Sequence, residues 1–320
     1  MDARAKRLTL GATAAAGALT AAAGVLPSLF LQITTDREEP YLLRKARERM
    51  TRRLCDAQTY TGVKEAEARL LQKKTERVSV TGVDGTALVG HWYPCEQPKR
   101  ILIAMHGWRS SWARDFGVAA DFWHENGCHV LFAEERGQGA SGGSFLTFGM
   151  LERYDCLSWA NAVCRTFPEL PVYLVGISMG ATAVLLASEL PLPENVHGII
   201  ADCGFSSPEE IWRHVTQKKL HVPYRLVERR TNRTCQKRFG CLPHEVTTPG
   251  ALRCCRVPVL LIHGTEDAFV PCEMSEQAKA ACASPCRLLL VDGAKHGESY
   301  LKQTHTYRTA MTDFWQENDQ

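Results

Sequence analysis

Gly176-Ile177-Ser178-Met179-Gly180 constrains the folding of this chain more than any other stretch. Val172-Tyr173-Leu174-Val175 precedes it and Ala181-Thr182-Ala183-Val184-Leu185-Leu186-Ala187 follows. The first run reads as a short buried strand and the second as a helix, which puts the serine on a sharp turn between them. A side chain at either glycine would collide with the neighbouring strand or helix as the backbone bends to push the serine outward. This is the pattern of a nucleophile elbow. A small-residue turn that merely packs a helix on a sheet has the same composition, so the partners downstream must decide between the two.

Those partners follow in order. Val257-Pro258-Val259-Leu260-Leu261-Ile262 reads as a buried strand that runs into His263-Gly264-Thr265-Glu266-Asp267. Leu288-Leu289-Leu290-Val291 is another apolar strand, followed by Asp292-Gly293-Ala294-Lys295-His296-Gly297. Among 11 histidines, His296 is the one on a small-residue loop after the last core strand. Asp267 sits where an acid partner belongs, with Glu266, Asp292 and the post-strand Asp202 as competitors. The order Ser178, Asp267, His296 is that of α/β-hydrolases and differs from the chymotrypsin and subtilisin orders.

Over residues from about 76 to 318 the chain resembles serine-dependent α/β-hydrolases. It is most similar to the bacterial membrane-anchored hydrolases grouped with serine aminopeptidase-like proteins. The matching landmarks are His106-Gly107-Trp108, the segment from Glu134 to Gly143, Gly176 to Gly180, His263 to Pro271, and His296 to Tyr300. That family usually has aspartate two residues before the arginine of the second block; here it is Glu134, and the position is expected to anchor a loop. The resemblance implies a mainly parallel twisted sheet with helices on both faces and a helical cap insertion. Alternating strands and helices along the chain favour the same architecture. The 53 residues from Gly204 to Arg256 are too long for an ordinary connection. They lie where the resembled family inserts its cap, at about 204–256, with short helices expected at Glu209–Lys219 and Tyr224–Arg230.

The chemistry implied is acyl transfer. Ser178 would attack a carbonyl, His296 would shuttle the proton, and Asp267 would orient the imidazole. Backbone N–H groups of Met179 and Trp108 would receive the oxyanion. His106 is expected to brace its loop, and the loop from Arg136 to Gly143 to pack beneath the site, since it lacks the Lys-Ser/Thr pair of a phosphate-binding loop. No cofactor or metal is called for. A small-molecule acyl ester or thioester, anionic or lipid-like, is the expected substrate. The alternatives are a peptidase, which would need a cap carboxylate to hold the substrate amine, and a non-catalytic binding protein on the same fold.

Charge is unevenly spread. Residues 213–256 carry 11 Lys/Arg against Glu228 and Glu245, a local +9 within a chain of net charge +3. No nucleic-acid module accompanies them, which argues against nucleic acid as a partner. Arg4, Lys6 and Arg7 precede 28 uncharged residues, 8–35, more than the roughly 20 that a bilayer-spanning helix needs. A single N-terminal membrane anchor over 1–35 is expected, with a cleaved signal ending near Ala21-Ala22-Ala23 or a soluble or interfacial helix as alternatives. Residues 36–75 then form a helical juxtamembrane connector, with Leu43, Met50 and Leu54 at helical spacing, and 76–320 the hydrolase domain. The side of the membrane stays open, because basic residues flank the run at both ends. Thirteen cysteines form no recognisable disulfide ladder, and Cys235, Cys241, His244, Cys254 and Cys255 match no zinc spacing.

Overall fold

The computed structural model describes residues 27–42, 44, 45, 49 and 57–320. Its first labelled helix, α1 (Ala57–Leu71), leads into the hairpin strands β1 (Glu76–Thr81) and β2 (Ala87–Tyr93). Then follow β3 (Arg100–Met105), α2 (Trp112–Glu125), β4 (Cys128–Ala133), α3 (Glu152–Thr166), β5 (Val172–Ile177), α4 (Met179–Ala187) and β6 (Val196–Asp202). An insertion carries α5 (Pro208–His214), a π-helical turn (Val215–Lys219), α6 (Arg225–Phe239) and α7 (Thr248–Leu252). The chain returns to the sheet with β7 (Val259–Gly264), α8 (Glu273–Ala281) and β8 (Cys286–Val291), and ends in α9 (Ser299–Lys302) and α10 (Thr304–Asn318).

The eight strands form one sheet in the order β1-β2-β4-β3-β5-β6-β7-β8. Strand β2 is antiparallel to β1 and β4, and the others pair in parallel. The period-two alternation of a strand sorts the side chains into two cores. Leu102, Tyr173, Val175, Leu260 and Ile262 pack with α2 and α10 on one face. Ile101, Ile103, Leu174, Val259 and Leu261 pack with α3 and α4 on the other. Both faces being covered explains the unbroken apolar runs of β3, β5 and β7.

One element differs from the sequence reading. The second insertion helix runs on to Phe239, because Val227, Thr231, Cys235 and Phe239 form a buried stripe along it and Gly240 closes it in a left-handed cap, φ 74°. The final helix is broken at Gln303, φ −136° and ψ 64°, with Ser299 Oγ donating to Asp202 Oδ1 at 3.0 Å and so holding the first turn against the sheet.

The membrane anchor and membrane location are corrected. Residues 8–26 of the uncharged run lie outside the described residues, as do Leu43, Met50 and Leu54. The remainder is a helix over 27–34 that ends at Thr35, and among the described residues no helix is long and apolar enough to cross a membrane. Phe30 and Leu31 are buried against the protein, Phe30 edge-on to Trp212 of α5. The Thr34 and Thr35 hydroxyls donate back to the carbonyls of Phe30 and Leu31. Apolar surface expected in lipid is thus spent on the insertion. Helix α1 also docks, close against α2: a Cβ on Gly117 would meet the Ala66 backbone at 2.8 Å.

Candidate active site

Ser178 stands between β5 and α4 with φ 56° and ψ −114°, a conformation that non-glycine residues rarely adopt. The two glycines allow it: a Cβ on Gly176 would run into the Gly180 backbone, and one on Gly180 into the Met105 carbonyl. Ser178 N–H donates to Asp202 O at 2.8 Å, tying the turn to β6. Strain of this kind persists only where the surroundings over-determine it, and it clusters at functional sites.

The structure brings the three predicted residues together. His296 Nε2 lies 2.9 Å from Ser178 Oγ, and Nδ1 lies 2.6 Å from Asp267 Oδ2. The acids that compete for the role in sequence fall elsewhere. Asp292 is exposed and takes a 3.3 Å bond from Thr265 Oγ1, Glu266 is exposed, and Asp202 accepts from Ser299. Asp267 also accepts the N–H groups of Phe269 and Val270, each at 2.8 Å. Burial would raise its pKa, but the His296 and His263 imidazoles and these backbone bonds override that and hold it well below the usual carboxylate range. Burial likewise opposes protonation of His296, yet Cys203 and Asp267 beside the ring leave its pKa raised above the ordinary imidazole value.

On the other side of Ser178 lies the turn after β3. A Cβ on Gly107 would come within 3.4 Å of Ser178 Cβ, so Trp108 begins its turn next to the elbow. Asp115 fastens this turn by accepting Gly107 N–H at 2.7 Å and the Ser110 hydroxyl. Met179 occupies the first position of α4, where backbone N–H groups have no partner within the helix. The buried His106 bonds through Nδ1 to Gly107 O, 2.9 Å, while Nε2 accepts Glu135 N–H, 3.2 Å, a network that assigns the neutral Nδ1–H tautomer. Burial lowers its pKa in keeping with that. Glu134 bonds His91 Nε2 at 2.7 Å and accepts Ala140 N–H, which fastens the glycine-rich loop. Arg136 pairs with Asp155 at 2.5 Å and Asp84 at 2.8 Å beneath that loop.

Sequence reasoning missed three contributors. His263 is fully buried, between Ser275 Oγ (2.6 Å) and Val270 O (2.9 Å), with Nε2 3.4 Å from Asp267. Its spacing, four residues before the acid at a strand end, was the available signal. Cys203 follows β6 with φ 50° and sits against His296; a lone cysteine at a strand end gave no such indication. The third is residues 27–37. Trp108 Nε1 donates to Thr34 O at 2.8 Å, and Arg109 reaches Ile33 O at 2.9 Å and Asp36 O at 2.6 Å. Arg37 caps the Gly139, Ser141 and Gly143 carbonyls, and Asp36 bridges Phe145 and pairs with Arg238 of α6 at 3.0 Å. This strap joins the Trp108 turn, the glycine-rich loop and the insertion, and nothing local in its sequence specifies those distant carbonyl contacts. Cys235 and Cys255, by contrast, pack in separate clusters.

Comparison with known proteins agrees with the fold. Residues 96–239 match the family described as Hydrolase_4, serine aminopeptidase S33. The Bacillus subtilis protein YqkD, described as uncharacterized, is 26% identical over 189 residues, 59% of this chain and 62% of that one. Rat monoglyceride lipase is 28% identical over 122 residues, 37% of this chain and 40% of the lipase. The structure of the Pyrococcus furiosus esterase Pf2001 superposes with a TM-score of 0.62 at 21% identity, covering 79% of this chain and 94% of the esterase. The chain has the α/β-hydrolase fold. The proteins it resembles are described as a serine aminopeptidase family, an esterase and a lipase.

Proposed function

We propose that the protein is a serine hydrolase that cleaves an acyl ester or thioester through an acyl-enzyme intermediate. The observation that carries this reading is the continuous chain Ser178 Oγ, His296, Asp267, at 2.9 and 2.6 Å. Ser178 attacks the acyl carbonyl while His296 Nε2 takes its proton; Asp267 fixes the ring tautomer and stabilises the cation that forms. The Met179 and Trp108 backbone N–H groups receive the oxyanion, the second on a turn held rigid by Asp115 and the strap. His296 returns the proton to the leaving group, and water then repeats the sequence on the acyl-enzyme. The insertion at about 204–256 acts as the cap. Phe205, Ile211, Trp212 and Tyr224 of the insertion form a buried apolar cluster with Phe148 and Met179, which packs the cap onto the elbow.

A peptidase reading draws on the name of the matching family. It needs a cap carboxylate free to hold a substrate amine. Glu209 is buried beside α6 but is already paired with Arg213 and, at 3.3 Å, with His244, while Glu245 accepts Leu242 N–H at 2.9 Å. With Glu209 and Glu245 committed, Glu228 is a cap carboxylate left to hold an amine, and the ester reading is preferred. The test is labelling by a fluorophosphonate probe together with a panel of acyl esters, acyl thioesters and aminoacyl anilides. Ester turnover with Ser178 labelled is the expected result. Turnover of the anilides alone would replace the ester reading by the peptidase one, and no labelling with no turnover would leave a binding protein.

A further inference from the structure

The edge of the sheet around His296 holds more anionic and soft donors than acyl transfer uses. Cys203, in the left-handed region at φ 50°, is buried at the end of β6. A cysteine pays a steric cost there, and sites that keep such strain deserve a functional test. One donor atom each from Cys203, Asp267 and His296 lie within 4.8 Å of one another, the single such grouping of His, Cys, Asp and Glu found among the described residues. Asp202, also buried, adds a second carboxyl next to it. The polar contacts of Asp267 are to imidazoles and backbone N–H groups, and that of Asp202 is to Ser299, so none of them supplies a permanent cation.

We propose that Cys203, His296 and Asp267 form a binding site for a thiophilic divalent cation, zinc in the first place, and that its occupation switches the hydrolase off. The donor set matches the metal: thiolate, imidazole and carboxylate are the ligands zinc takes, at about 2.0 to 2.3 Å. Donors around such an ion stand roughly 3 to 4 Å apart, so the 2.6 Å contact of His296 Nδ1 with Asp267 Oδ2 opens while Cys203, within 4.8 Å of both, draws in. His296 can supply that movement, since its ring is partly exposed and Gly293 and Gly297, both at positive φ, flank its loop. On binding, Cys203 loses its thiol proton and His296 the Nδ1 proton it shares with Asp267, both to solvent; the freed Nδ1 lone pair, the thiolate and the carboxylate hold the ion, and water completes the coordination. The inhibition follows from the proposed function: an imidazole held by the ion cannot take the Ser178 proton.

Two measurements on the full-length protein test this. The first titrates Ser178→Ala with cadmium and reads the thiolate-to-metal charge-transfer band in the ultraviolet, which needs no turnover. One thiolate's share of the band is expected to vanish in Cys203→Ser and in Cys203→Ala, and to weaken in His296→Gln. The other variant serves if either cysteine substitution fails to fold. The second measures zinc inhibition of ester hydrolysis, reversed by a chelator, relative to each variant's own metal-free rate. Inhibition about tenfold or more weaker in the Cys203 variants is expected. Equal inhibition with and without Cys203, or an unchanged cadmium band, overturns the site. A band that depends on Cys203 and His296, with turnover indifferent to zinc, keeps the metal site but overturns the switch and the assignment of His296 as base.

Discussion

Two regions of the molecule meet at Ser178, and they are built by different rules. The carboxyl edge of the parallel sheet supplies Ser178, Asp267, His296, Cys203 and the Trp108 turn, each one to a few residues after a strand. Its positions follow from backbone geometry: a strand ends, a glycine admits a close approach, and a side chain is presented. The second region is a shell of strap and insertion, in which residues 27–37 and α6 reach the site through contacts separated by 70 to 200 positions in sequence. The edge places reacting atoms, whereas the shell holds them still and walls the substrate. Losses at the edge should therefore fall on the chemical step by orders of magnitude, and losses in the shell should be smaller and graded.

The sharpest way to break this contrast is at the elbow. Ser178→Ala should abolish fluorophosphonate labelling and lower kcat by about 10⁶, the effect of removing a triad serine. Ester hydrolysis at the parental rate in that variant, measured with the same substrate panel, would mean that the edge does not carry the chemistry.

Next in size is Asp267→Asn, expected to cost about 10⁴ in kcat because the imidazole loses its tautomer. Glu266→Gln and Asp292→Asn should stay near the parental rate, since neither side chain reaches His296. The pH profile adds a sign. His296 must be neutral to act as base, and its pKa is raised. The acid limb of kcat/KM should therefore have its midpoint above the ordinary imidazole value of about 6.5, and losing the Asp267 charge should move it down. A limb at or below that value would show that the free enzyme does not hold the imidazolium in the stabilising surroundings described.

The same division explains what the sequence could convey. Strands β5 and β7, the elbow and the acid–histidine order were legible because their determinants are local: apolar runs and glycines at fixed offsets. Asp267 could be favoured over Asp202 and Asp292 because the segment His263 to Pro271 is one of the landmarks matching the resembled family, but only the fold shows Asp202 turned to Ser299. The run 8–35 misled for a physical reason. Uncharged apolar residues suit lipid and protein interior equally, so Phe30 and Leu31 buried against the protein leave the same pattern as a bilayer helix. The extension of α6 to Phe239 was hidden by its charge, since basic residues fill the exposed face of a helix whose buried stripe includes threonine and cysteine.

The strap offers an intermediate effect. Arg37→Ala removes three carbonyl contacts to the glycine-rich loop and Trp108→Phe removes the bond to Thr34. If the strap positions the oxyanion turn, kcat should fall by up to about 10²-fold, the effect of a displacement near 1 Å, with the acid limb of the pH profile unmoved. Arg37→Lys, which restores a donor, should recover part of it. A lower melting temperature with unchanged kcat would reduce the strap to a clasp.

The smallest expected effect belongs to the outer face of α6. Arg229, Arg230 and Arg233 are exposed there, within the +9 stretch at 213–256. Their field reaches a substrate without touching it, so its influence should appear in association and be screened by salt over a Debye length of about 8 Å at physiological ionic strength. For an anionic acyl ester, kcat/KM should fall on the order of tenfold between low and physiological salt, while a neutral ester of similar size barely responds. Replacing the three arginines by glutamate should flatten that difference and leave kcat for the neutral ester unchanged. Equal salt dependence for the two esters would mean that the shell contributes walls and position but no steering, and the basic face of α6 would then be a solvated surface.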